Sequence, residues 1–122
     1  MIPNNIHSIV ATALPLEPII VTRFKERVTD ERGRWVNEYF DPVVGKGDVQ
    51  PVSYRTRKEL GLDSTKYYVQ LWTDEQLYPA QEGRGADQVV YAGRTYEVIG
   101  DDEDWQSQDG WAVYYLVEIS DD

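Results

Sequence analysis

The densest set of reactive side chains is acidic. Asp101-Asp102-Glu103-Asp104, with Asp109 following, gathers carboxylates in one short stretch. A hard cation such as calcium needs several carboxylate oxygens converging from alternate positions of a tight loop. Four adjacent acids point in different directions, and the alternating spacing is missing. The cluster reads as a solvated hairpin loop, and no metal site is assigned. Glycoside hydrolysis needs two carboxylates flanking one bond, but nothing selects a pair among the 22 acids. Cysteine is absent and His7 is the single histidine. Disulfides, thiolate zinc sites and cysteine nucleophiles are thereby excluded, and Ser-His-Asp or multi-histidine chemistry is nearly so. The glycine-rich Glu82-Gly83-Arg84-Gly85-Ala86 is not followed by Lys-Ser/Thr, so it is no phosphate cradle. No catalytic residue and no cofactor is assigned, and the chain reads as a non-enzyme.

Basic and aromatic residues offer binding chemistry instead. Arg55, Arg57 and Lys58 form a compact basic group, and Arg23, Lys25 and Arg27 form another upstream. Together they would meet an acidic partner or a DNA backbone, or else lie as solvated charges on strand and helix faces. The 15 aromatics (four Trp, nine Tyr, two Phe) suit stacking platforms, but equally strand formation, a core or a subunit interface. Trp35, Trp72, Trp105 and Trp111 fall at different strand phases, so they need not share one core.

The chain has 122 residues, one domain's worth, and a net charge of −10. Such a balance repels phosphates and argues against general nucleic-acid binding. The charge is uneven. Residues 1–61 carry nine basic and eight acidic side chains, and residues 62–122 carry three and fourteen. That asymmetry fits two contact surfaces of unlike sign, or simply a soluble acidic protein with an acidic tail. Apolar runs fall far short of the ~20 residues a membrane span needs. No basic stretch followed by an apolar one opens the chain, so no secretory signal is expected.

The elements that must position these groups are mostly strands. Residues 1–16 hold Pro3 and Pro15 and read as an extended arm, either a frayed terminus or a strand lent to a neighbour. Residues 19–28 alternate, with Ile20, Thr22, Phe24 and Val28 on one face and Arg23, Lys25 and Arg27 on the other. With a turn at Asp30-Glu31-Arg32-Gly33 and a strand over residues 35–40, they predict one long hairpin. Residues 48–53, interrupted by Pro51, predict a short edge strand. Thr56-Arg57-Lys58-Glu59 has capping-box spacing before a turn or two of helix ending at Gly61. Residues 66–73 are β-rich, and residues 74–87 form a long irregular loop of the kind that is usually functional or disordered. Residues 88–91 and 94–100 predict a hairpin across Ala92-Gly93. Residues 111–119 alternate, with Trp111, Val113, Tyr115, Val117 and Ile119 on one face. Six or seven strands result. The fold class is mainly β: a small antiparallel β-barrel or sandwich with long loops, one short helix and an extended N-terminal arm. The expected organisation is an arm (1–16), a single barrel domain (17–119) and a tail (120–122).

Three stretches occur in a familiar order: Gly47-Asp48-Val49-Gln50-Pro51, Leu71-Trp72-Thr73-Asp74-Glu75-Gln76-Leu77, and the run from Ala86 through Asp87-Gln88-Val89-Val90-Tyr91 to Val98. With Asp104-Trp105 and the closing strand, they resemble the small neck proteins of tailed bacteriophages: head-closure, head–tail joining or collar proteins. The resemblance covers residues 45–118 and carries no catalytic signature. It implies a barrel subunit forming a homo-oligomeric ring, sixfold or twelvefold, in the virion neck. It implies portal or head–tail adaptor proteins on one side and tail-terminator or tail proteins on the other. Genomic DNA would pass through without sequence-specific binding, no membrane would be involved, and assembly would occur in the host cytoplasm. Expected contact residues are Ile9 and Val10 in the arm; Arg23, Lys25, Arg27 and Arg32 in the first hairpin; Arg55, Arg57 and Lys58 in the helix; and Leu77, Tyr78 and Arg84 in the long loop. The alternatives are a β-rich carbohydrate- or peptide-binding module and a tail-terminator protein.

Overall fold

A computed structural model describes residues 16–63, 65–101 and 110–119. His7, Ile9, Val10, most of the acidic stretch and Trp105 lie outside the described residues. Among the described residues, eight strands and one helix follow in order: β1 (Glu17–Thr22), β2 (Phe24–Thr29), β3 (Trp35–Tyr39), β4 (Val43–Pro51), α1 (Tyr54–Glu59), β5 (Tyr68–Thr73), β6 (Gln88–Tyr91), β7 (Arg94–Asp101) and β8 (Ala112–Glu118). Six of them close an antiparallel barrel in the order β1-β4-β5-β8-β7-β6, so the sandwich alternative falls away. Strands β2 and β3 form a separate two-stranded ribbon inserted between β1 and β4.

Alternation fills the barrel. Ile19 and Val21 of β1, Val69 and Leu71 of β5, Val89 of β6, Tyr96 and Val98 of β7, and Tyr114 and Leu116 of β8 form its buried interior. Leu77, from the long loop, completes this cluster. Each fully buried aliphatic side chain contributes on the order of 1.5–3 kcal/mol.

Two inward faces differ from the sequence expectation. In β1 the odd residues Ile19 and Val21 are buried and Ile20 is exposed, whereas alternation grouped Ile20 with Thr22 and Phe24. In β8, Tyr114 and Leu116 point into the core rather than Tyr115 and Val117. Both strands carry bulky residues on consecutive positions, so period two alone does not say which set faces inward.

The expected strand over residues 19–28 is two strands. It breaks at Arg23, where β1 leaves the barrel and the ribbon begins. The expected short strand at residues 48–53 begins earlier, at Val43. β4 pairs with β1 up to Gly47 and with β5 from Gly47 onward. At that crossing a Cβ would sit 2.6 Å from Leu71 Cδ1 and 2.8 Å from the Trp72 carbonyl oxygen, so only glycine fits. Beyond Gly47 the strand has β5 alone beside it, which accommodates Pro51 at its end.

The helix cap also differs. Ser53, not Thr56, is the N-cap; its hydroxyl oxygen accepts from the Thr56 amide at 3.1 Å. Gly61, with φ +67, closes the helix, and the Leu62 amide donates back to the Arg57 carbonyl. Strands β6 and β7 match the expected hairpin, because Ala92 (φ 51) and Gly93 (φ 78) make a two-residue turn with both central φ positive.

β4 runs nine residues between the ribbon and α1. At about 3.3 Å per residue, that places the ribbon and the helix at opposite ends of the barrel.

Candidate functional site

The long loop over residues 74–87 and the root of the ribbon share one barrel end, and a buried carboxylate joins them. Asp87, 1% exposed, accepts three hydrogen bonds. The Phe24 amide and the Arg84 guanidinium each donate to Oδ1 at 2.8 Å, and the Tyr78 amide donates to Oδ2 at 2.9 Å. One side chain thus ties the start of β2, the loop and the entry to β6. Charge-assisted bonds of this kind are roughly twice as strong as neutral ones. The Asp87 amide donates back to the Tyr78 carbonyl, and the Val98 amide donates to the Asp87 carbonyl.

Arg84 lies between two rings, its guanidinium 5.3 Å from the Phe24 centroid and 5.2 Å from that of Tyr78. Phe24 meets Tyr39 edge-on at 6.2 Å, and Gln88 Nε2 donates to the Tyr39 hydroxyl. Arg23 bonds Glu75 at 2.8 Å and the Gln76 carbonyl at 3.3 Å. A Cβ on Gly85 would meet Asn37 Nδ2 at 2.6 Å, so glycine lets loop and ribbon touch. Within the loop, Gln81 and Arg84 pair across a turn at Glu82-Gly83, where Gly83 has φ +84. The ribbon is therefore firmly rooted at its base.

Beyond its base the ribbon is exposed on both faces. Trp35 is 70% exposed and, with Arg27, Asn37 and Gly83, lines an open groove of about 570 Å³. Arg27 Nε donates to Asn37 Oδ1. On the other face Glu26 stands directly opposite Glu38, and Val28 opposite Val36. At the ribbon tip, the amides of Arg34 and then Arg32 donate to Asp30 and hold its carboxyl below its ordinary pKa. At the far barrel end, Tyr54, Arg57, Lys58 and Leu62 line a smaller hollow of about 170 Å³.

The expected contact residues divide between these regions. Arg23 and Arg84 hold the ribbon root and the loop. Lys25 lies 5.8 Å from the Phe40 ring centroid, Arg27 faces the groove, and Arg32 sits in the ribbon turn. Arg55 pairs with Glu59 on the exposed side of α1, and Arg57 stacks 6.0 Å from the Tyr54 centroid beside Lys58. Tyr78 keeps a part-exposed ring. Leu77 is 3% exposed and fills the core, its amide donating to the Tyr114 hydroxyl, so it anchors the loop from inside. Sequence reasoning gave no role to Asp87, Glu75 or the Glu26–Glu38 pair, and weighed Trp35 only as one of the four tryptophans. The hairpin itself carried a signal for that pair. Moving the turn centre from between Glu31 and Arg32 onto Arg32 sets the two glutamates opposite each other.

Among the described residues, no three His, Asp or Glu side chains come together as a metal-binding group. What the geometry displays is a closed barrel with one rooted ribbon, one ordered loop and one exposed basic helix. These features define a small closed β-barrel with projecting elements at both ends. No curated protein sequence matches the chain. Residues 9–119 match the family described as E217 collar protein gp28, and the chain belongs to that family of phage collar proteins. It is a structural component of the phage neck.

Proposed function

We propose that this chain assembles into a homo-oligomeric ring that connects the portal and head to the tail and lets the genome pass. The observation that carries this reading is the collar-family match across residues 9–119 of a chain whose barrel bears projecting contact elements at both ends. A ring needs heterologous contacts, in which one patch meets a different patch on the next copy. Two ends of unlike chemistry supply them. The net charge of −10 suits a conduit, since DNA slides past an acidic wall that does not hold its phosphates. The ribbon turn around Arg32 and the loop carrying Tyr78 reach the adjoining neck rings. No step of this role requires catalysis or a cofactor.

Native mass spectrometry of the purified chain, alone and with its portal and tail-terminator partners, tests the reading. Ring-sized species of a single stoichiometry are expected. A monomer at every protein and salt concentration, partners included, would overturn it.

A second reading rests on the groove. An exposed Trp35 beside Asn37 and Arg27 combines an aromatic plate with amide and guanidinium donors, as a carbohydrate- or peptide-binding module would. Saturable glycan or peptide binding by a monomer, abolished by Trp35→Ala, would favour it over the ring.

A further inference from the structure

The ribbon carries a local electrostatic conflict. Glu26 and Glu38 are cross-strand partners on an exposed two-stranded sheet. Like charges in that relation are destabilising. Neither carboxylate has an ion-pair partner among the described residues; the five ion pairs there involve Glu75, Asp30, Glu59, Asp87 and Glu118. Next along the same face come Val28 and Val36, the latter 40% exposed. Asn37, on the opposite face, is the residue that meets the loop at Gly85. The glutamate and valine face is therefore turned away from this copy's own loop, with Glu26, Glu38 and Val36 exposed and Val28 half-buried.

The complementary surface lies at the other barrel end. Helix α1 has no acid in its first turn and has Arg57 and Lys58 in its last. Tyr54, Arg57 and Lys58, at spacings of three and four, form one face of it. That face lines the 170 Å³ hollow with Leu62. Tyr54 is 72% exposed and Leu60 48%. Neither Arg57 nor Lys58 has a carboxylate partner among the described residues. One surface offers two carboxylates beside two valines. The other offers two cations beside a tyrosine and a hollow sized for a small aliphatic group. Because the ends lie on opposite sides of one barrel, no copy satisfies both in itself.

We propose that the Glu26/Glu38–Val28/Val36 face of the ribbon docks on the Tyr54–Arg57–Lys58 face of α1 in the next copy of this chain. The contact is heterologous and head-to-tail, so repetition closes a ring when the rotation per copy closes. This rests on the ring reading above and names the surfaces that would build it. Opposite charge sets register and partner, while the valines and the hollow supply apolar burial.

The test reverses each surface. Glu26→Lys/Glu38→Lys keeps a like-charge pair on the ribbon, so folding is little disturbed; Arg57→Glu/Lys58→Glu reverses the helix. Thermal melts confirm that both variants fold. Self-association is then read by native mass spectrometry and sedimentation. Each variant alone is expected to assemble at least about tenfold more weakly than the unmodified chain. An equimolar mixture of the two is expected to recover assembly, since each reversed ribbon then meets a reversed helix and each original ribbon an original one. Variants that assemble as tightly as the unmodified chain, or a mixture that stays dissociated, overturn this contact and leave the ring itself standing. Variants that form normal rings but fail to enter virions assign the patch to another neck protein and also overturn it. An unmodified chain that never self-associates overturns the ring and this contact together.

Discussion

Replacing Asp87 by asparagine tests the claim that one buried carboxylate roots the ribbon. The asparagine oxygen can take the place of Oδ1 and keep the Phe24 amide and Arg84. Its NH₂ then lies where Oδ2 accepted from the Tyr78 amide at 2.9 Å, so donor faces donor. A buried N–H left without an acceptor costs about 1–3 kcal/mol. Losing the charge on the Arg84 bond adds about 1 kcal/mol, kept small because Arg84 retains 27% exposure and is partly solvated. The total is about 3 kcal/mol, a large part of the roughly 5–15 kcal/mol that holds a domain together. For a domain of this size that lowers Tm by about 12 °C. Urea unfolding followed by tryptophan fluorescence gives the free energy, and hydrogen exchange gives the location. The Phe24 and Tyr78 amides should exchange faster than core amides such as Leu71. A loss under about 1 kcal/mol, or unchanged exchange at Phe24, would refute the reasoning.

Other expectations follow from the same geometry. Gly47→Ala should cost about 1–3 kcal/mol in urea unfolding, because its Cβ has backbone at 2.8 Å and cannot be accommodated by side-chain movement alone. Arg55→Ala should change stability by less than about 0.5 kcal/mol in the same assay, since its pair with Glu59 is an exposed one. Burial raises the Tyr114 and Tyr96 hydroxyls above their ordinary pKa of 10.0. The unfolded chain then loses these protons first as pH rises. Their stabilising contribution is whole below about pH 10 and disappears as pH climbs through the folded-state values. Urea midpoints should fall between pH 8 and pH 11, and the gap between the unmodified chain and Tyr114→Phe should narrow at high pH; parallel curves would contradict this.

Much of the barrel was legible because local chemistry spoke for it. Ala92-Gly93 between two apolar runs can hardly be anything but a hairpin turn, and β6 and β7 fall where that turn places them. The cap at Ser53 was missed because Thr56, three residues on, offers the same hydroxyl at the same kind of spacing. The break at Arg23 was illegible for a different reason. Nothing in the alternation of residues 19–28 interrupts it; the strand divides because the Phe24 amide binds a carboxylate 63 residues away. Asp87 itself sits among glycines and reads as one more loop acid. The inward faces of β1 and β8 depend on neighbours across the barrel, where Ile19 and Ile20, or Tyr114 and Tyr115, are locally interchangeable. The basic candidates among the contact residues stand in the sequence as separate charges. Only the barrel shows that ribbon and helix occupy opposite ends and that Glu26 and Glu38 share one face of the ribbon.

A reconstruction of the intact neck in virions of the phage that encodes this chain measures the central claim most directly. The account predicts ordered density for the six-stranded barrel, repeated around the DNA axis between portal and tail, with each ribbon against its neighbour's short helix. A neck fully built from other chains, with this one absent from the particle, would contradict it.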